Sequence, residues 1–229
     1  MDLSSFERKI GVKFQNSALL VNAFTHRSFI NENRKGGREH NERLEFLGDA
    51  VLELVVTDFL FRKYPSRNEG EMTSLRSGLV NAATLSELAG RLGLNDHLLL
   101  SRGEAKDMGR ARQYILANTF EALVGAIYLD CGYDAVEKFI ARYLLPMAEE
   151  IVKSGGWMDA KSFFQERAQE VVGVTPNYKT LSEEGPDHDK EFTVGVFLGS
   201  EKVAVGVGRS KQDAEQAAAS AGLKAKNWK

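Results

Sequence analysis

The hydrophobic period of this chain changes once, and that change limits the folds open to it. From residue 2 to about residue 152, apolar residues recur at three- and four-residue spacing, as in Leu44, Leu47, Val51 and Leu54, the period of helices with one buried face. Residues 153–158, KSGGWM, have the paired glycines of a short flexible linker. Beyond them, 161–172 reads as an amphipathic helix, while 177–182, EFTVGVFLG and EKVAVGVG alternate as strands. Residues 211–224 form an alanine-rich helix. The expected architecture is multidomain. An all-α domain over 1–152, broken at Pro65, at 93–96, at Gly109 and at Gly132, is followed by a small α+β domain over 159–229. Its order α-β-β-β-α implies three antiparallel strands with helices on one face.

Composition narrows the function classes. With 43 % apolar and 27 % charged residues over 229 positions, the chain has the make-up of a globular protein rather than a disordered one. No apolar run approaches 18 residues and the N-terminus lacks a signal-peptide pattern, so a soluble, cytoplasmic protein with no membrane partner is expected. Divided at residue 158, the chain has 20 basic against 21 acidic residues before and 10 against 11 after. Neither part is a basic tail, so any contact with nucleic acid must rest on local patches. The single cysteine, Cys131, cannot close an intramolecular disulfide or build a thiolate zinc site. The four histidines are scattered, and Gly206 and Gly208 lack the remainder of a phosphate loop, so neither zinc nor a nucleotide cofactor is expected.

Chemistry concentrates in NERLEFLGDAVL, residues 41–52. On a helix Glu42, Glu45 and Asp49 fall at i, i+3 and i+7, stacking three carboxylates on one face while Leu44, Leu47 and Val51 turn inward. From spacing alone such a stripe fits first a solvated acidic face, and then a site where a hard cation such as Mg²⁺ removes the repulsion. A second helix, 115–130, carries Asn118 and Glu121 at i, i+3 among Ile115, Phe120, Leu123, Val124 and Ile127. A glutamate in so apolar a helix is costly unless it is hydrogen-bonded within the bundle or shares a metal with the first stripe.

These segments resemble the ribonuclease III endonucleases. NERLEFLGDAVL looks like the family signature, and FTHRSF at 24–29, NEGEMT at 68–73 and ILANTFEALVGAIYLD at 115–130 fit the same family, so that the resemblance covers essentially the whole chain. It implies an endonuclease that cleaves double-stranded RNA with Mg²⁺, or Mn²⁺ in its place, held by Glu45, Asp49, Asn118 and Glu121. Asp49 and Glu121 match the essential catalytic positions. Glu42 and Glu69 match outer acidic positions that could touch RNA-bound water or a second metal. Products with 5′-phosphate and 3′-hydroxyl ends, short 3′ overhangs and a role in rRNA and mRNA processing are implied in the same way. Many family members have aspartate where this chain has Asn118, whose amide oxygen can coordinate a metal but brings no charge. That departure motivates a second reading, a catalytically weakened dsRNA-binding regulator.

With KSFFQERAQ at 161–169, GPDH at 185–188 and RSKQDAEQAAA at 209–219, the 159–228 segment resembles a double-stranded-RNA-binding domain. By that resemblance Ser162, Gln165 and Glu166 meet 2′-hydroxyls in one minor groove, and the loop with His188 enters the next. Arg209, Ser210 and Lys211 then meet phosphates at the start of the last helix. Gln212 stands where a second lysine is common. The family also implies a homodimer. Phe46, between the carboxylates and turned away from Leu44 and Leu47, is the expected interface residue.

Overall fold

The structure, a computed structural model, describes residues 3–33, 39–154, 159–186 and 190–228. The chain divides into two compact units, Met1–Trp157 and Met158–Lys229.

The first unit is helical: α1 (Ser4–Ile10), α2 (Ser17–Ala23), α3 (Arg27–Glu32), α4 (Glu42–Lys63), α5 (Glu69–Val80), α6 (Ala82–Leu92), α7 (Arg110–Cys131), α8 (Tyr133–Tyr143) and α9 (Met147–Ser154). At its centre is α7, in which every residue from Ala122 to Ile127 is buried. A helix apolar on all sides needs neighbours on all sides, and α7 packs on α2, α4, α6 and α8. The largest of these contacts is with α4, whose buried side holds Leu44, Gly48, Val51, Leu52, Val55, Val56 and Leu60. Leu47, read as inward, is only half-buried.

The expected breaks lie at helix ends. α4 stops before Pro65, Gly93 closes α6 in the left-handed conformation (φ 77°), and Gly109 and Gly132 flank α7. Asn68 starts α5 with a reciprocal capping box to Glu71. The start of α4 is anchored by Asn41, which is buried. Its backbone N–H donates to Thr25 O at 2.9 Å and its amide to Ala23 O at 3.1 Å. α9 continues to Ser154, two residues into the stretch read as a linker, and 155–158 lie outside the described residues.

The second unit follows the expected order: α10 (Ala160–Val172), β1 (Asn177–Glu184), β2 (Glu191–Leu198), β3 (Glu201–Gly208) and α11 (Lys211–Lys226). The strands form one antiparallel sheet in the order β1-β2-β3, pairing Tyr178 with Val196 and Val194 with Gly206. Ala160, Phe164, Val196, Ala218, Ala219 and Leu223 make the core, with Trp228 packed on Phe164 at 5.2 Å between ring centroids. α11 presses directly on the sheet, since a Cβ at Gly206 would stand 2.0 Å from Ala218 N. Alanine on the helix and glycine on the strand are what allow that approach. Among the described residues no helix is long and apolar enough to cross a membrane.

Candidate active site and RNA-binding surface

Two glycines bring the acidic residues together. Where α4 crosses α7, a Cβ at Gly48 would lie 1.8 Å from Glu121 O, and one at Gly125 would lie 2.3 Å from Leu44 O. Backbone therefore rests on backbone, closer than any side chain permits. Glu45 and Asp49 flank Gly48 on α4 and Glu121 is itself the contact on α7, so the crossing fixes these carboxylates beside one another.

Their electrostatics follow from that proximity. The Glu121 carboxyl is pushed up to about 8, first by burial and then by the negative charges of Asp49 and Glu45. Burial also raises Glu45; the Asn118 amide opposes the shift by hydrogen-bonding it, while Glu42 and Asp49 add to it. Glu45, Asp49, Asn118 and Glu121 thus form one interacting group, half-buried except for the exposed Asp49. Among the described residues no three His, Cys, Asp or Glu side chains stand arranged to hold a metal ion as they are. The donor set itself fits a hard divalent ion: three carboxylates and one amide oxygen, one carboxylate being a half-buried acid held among like charges.

The outer acids are placed differently. Glu42 pairs with Arg27 Nη1 at 3.2 Å, with His40 Nδ1 3.7 Å away, and its field acts on Glu45. Glu69 begins α5, where its Oε1 accepts a hydrogen bond from Thr73 Oγ1 at 2.9 Å. Phe46 is 82 % exposed on the outer face of α4, which continues through Leu54 and Phe61, both also exposed.

Sequence reasoning passed over Gly48, Gly125 and Arg27. A glycine has no weight in a hydrophobic period, so the crossing left its signal only as two glycines in two helices. Arg27 stood inside FTHRSF, a motif used there only for its resemblance.

In the second unit Ser162, Gln165 and Glu166 lie exposed on one side of α10, opposite the buried Ala160, Phe164 and Ala168. Ser162 Oγ donates to Asp159 Oδ2 at 2.7 Å. Asp159 caps α10 and also accepts from Gln216 Nε2 at 2.6 Å, tying α10 to α11. Ser210 is the N-cap of α11: its hydroxyl accepts from Asp213 N at 3.1 Å and donates to Asp213 Oδ2 at 2.7 Å. Arg209 and Lys211 flank it, both exposed, with Lys211 Nζ 5.6 Å from the Phe192 ring centroid and 3.8 Å from Glu183 Oε2. His188 lies outside the described residues.

Residues 16–148 match the Ribonuclease-III-like family and residues 160–225 the double-stranded RNA binding motif. Ribonuclease 3 of Geobacillus thermodenitrificans is 46 % identical over 217 residues, spanning 95 % of this chain and 88 % of the relative. The chain belongs to the ribonuclease III family. Ribonuclease 3 of Bdellovibrio bacteriovorus is 45 % identical over 97 % of this chain and 95 % of its own. The nuclease domain of ribonuclease III from Campylobacter jejuni superposes with a TM-score of 0.57 at 36 % identity, covering 63 % of this chain and 99 % of that domain. The fold expected from the ribonuclease III resemblance holds, as does the enzyme class, an endoribonuclease.

Proposed function

We propose that this ribonuclease III family member cuts double-stranded RNA at the α4–α7 crossing, with a divalent ion held by Glu45, Asp49, Asn118 and Glu121. The family match, joined to a double-stranded RNA binding motif, supports double-stranded-RNA endonuclease activity. The observation that carries the finer reading is the placement of Glu121: a half-buried carboxyl facing Asp49 and Glu45, with the Asn118 amide on Glu45, is a poor structural choice and a good ligand set. Mg²⁺ bound there, or Mn²⁺, supplies a lowered water pKa and positive charge for the scissile phosphate. The chain's own part is to hold Glu45 and Asp49 against Asn118 and Glu121 through the glycine crossing. Glu42 braces the start of α4 through Arg27. Asp49 and Glu121 are the catalytic carboxylates, and Glu42 and Glu69 serve outer positions.

The nuclease half, 1–152, supplies the chemistry, and the 159–229 half holds A-form RNA by three contacts: Ser162, Gln165 and Glu166 in one minor groove, His188 in the next, and Arg209, Ser210 and Lys211 at the phosphates. The Campylobacter jejuni nuclease domain is described with a region involved in dimer formation. The exposed Phe46, Leu54 and Phe61 on α4 support a homodimer of this chain, with two sites acting on the two strands to leave short 3′ overhangs. The reading places the enzyme in cytoplasmic rRNA and mRNA processing. Asn118 tunes metal capture and leaves the three carboxylates in place.

Cleavage of a long perfect RNA duplex across a Mg²⁺ series, with analysis of the product ends, tests this. The expected result is 5′-phosphate and 3′-hydroxyl ends, no cleavage in EDTA, and half-activation at lower Mg²⁺ for Asn118→Asp. Cleavage unaffected by EDTA would refute it.

A further inference from the structure

The face of α7 that carries Glu121 does not end at the acidic group. With 3.6 residues per turn, Arg110 and Tyr114 each point within about 20° of Glu121 around the helix, and Asn118 within about 60°. At 1.5 Å per residue, Tyr114 stands about 6 Å along the axis from Asn118 and about 10 Å from Glu121, with Arg110 a further turn out. Ile115 and Ala117, on the other faces, are buried, whereas Tyr114 is 48 % exposed and Arg110 is exposed. The Arg110 guanidinium carbon lies 6.0 Å from the Tyr114 ring centroid, so the two side chains form one cation–π unit on the surface.

This unit stands on a fixed base. The buried Arg112 donates to Glu104 O at 2.7 Å, to Asp107 O at 3.2 Å and to Asn95 Oδ1 at 3.4 Å, which ties the loop leading into α7 to the helix itself. Asp107, the nearest acid in that loop, has Oδ1 engaged by Gly109 N at 2.7 Å, and the first turn of α7 carries no acidic side chain. A phosphate approaching along this face meets a guanidinium and a phenol before it meets the carboxylates.

We propose that Arg110 and Tyr114 are substrate-positioning residues that hold the RNA strand entering the α4–α7 site. Arg110 contacts a backbone phosphate. The Tyr114 ring packs on a ribose with its hydroxyl at a 2′-hydroxyl, the contacts an A-form minor groove offers. The pair thereby sets which phosphodiester reaches Glu121. This rests on the reading of that group as the cleavage site.

The test is steady-state cleavage of an end-labelled RNA hairpin by the full-length protein in Mg²⁺, with cut positions mapped and hairpin binding measured in Ca²⁺ over a salt series. Arg110→Ala is expected to raise KM about tenfold with kcat within about twofold, and to flatten the log–log salt slope by about one. Arg110→Lys restores the slope. Tyr114→Ala raises KM and spreads the cut over neighbouring phosphodiesters, while Tyr114→Phe keeps the cut position. Thermal unfolding within about 2 °C of wild type shows that the variants are folded. If wild type cuts and Glu121→Gln does not, yet every Arg110 and Tyr114 variant keeps the wild-type KM, salt slope and cut position, the pair is a surface helix contact and the proposal fails alone. If wild type does not cut the hairpin, the reading of the site falls and this inference with it.

Discussion

Gly48 on α4 lies against the main chain of Glu121 on α7, so near that a single methyl group at position 48 would overlap the Glu121 carbonyl oxygen. The acidic group therefore depends on an atom that is absent. Gly48→Ala must push the helices apart and carry Glu45 and Asp49 away from Glu121. Equilibrium urea unfolding is expected to show a loss of at least about 2 kcal/mol, with cleavage lost although no carboxylate has changed. Gly90→Ala on α6, where a Cβ meets nothing within 4 Å, is the matched control. It is expected to stabilise by about 0.5–1 kcal/mol.

His26 gives the nuclease unit a pH-sensitive joint. It caps α3 by accepting from Ser28 N through Nδ1, and its backbone N–H donates to Leu99 O at 3.1 Å. Burial holds its pKa below 6.5, with Arg27 and His40 acting in the same direction and Glu104 and Glu42 against it. The folded state thus prefers neutral His26. That contribution to stability is complete above about pH 6.5, falls as the unfolded chain takes up the proton, and is gone below the lower folded pKa. His26→Asn keeps a capping oxygen and does not titrate. Between pH 7 and pH 5 the wild type is expected to lose more thermal stability than this variant; parallel melting curves would contradict the assignment.

Gln212 is exposed in the first turn of α11, next to Lys211. A lysine there adds one cation where phosphates are expected, so Gln212→Lys should steepen the log–log salt dependence of hairpin binding in Ca²⁺ by up to about one unit. An unchanged slope would mean that this turn does not meet the RNA backbone.

Phe46 leaves a whole aromatic ring in solvent on α4, with Leu54 and Phe61 exposed on the same helix. Sedimentation of the wild type as a dimer and of Phe46→Asp as a monomer is expected, because a charge at the centre of an apolar interface is not desolvated cheaply. A Phe46→Asp protein that sediments like wild type would remove Phe46 from the interface.

Much of the fold was legible because hydrophobic period is a local signal. The three-to-four spacing, the switch to alternation after residue 158 and the glycines at 93, 109 and 132 each act within a few residues. The carboxylates at 42, 45 and 49 were legible for the same reason. What escaped were contacts between distant segments. The Gly48–Gly125 crossing depends on missing side chains, and the capture of Glu42 by Arg27 depends on how the α2–α3 corner folds back onto α4. The Ser210 cap on Asp213, three residues on, was likewise passed over beside its proposed phosphate contact.

That the α4–α7 acids cut duplex RNA is tested most directly with Glu121→Gln. This substitution removes the negative charge that Glu121 supplies once it ionises against a metal, and keeps its shape. Duplex binding in Ca²⁺ should stay within about twofold of wild type, while cleavage in Mg²⁺ falls at least about 100-fold. At pH 7 the metal-free variant should melt above metal-free wild type, since folded wild type must hold on Glu121 a proton that its unfolded chain releases, a cost that glutamine does not carry. A Glu121→Gln protein that cuts duplex RNA at close to the wild-type rate would contradict the assignment.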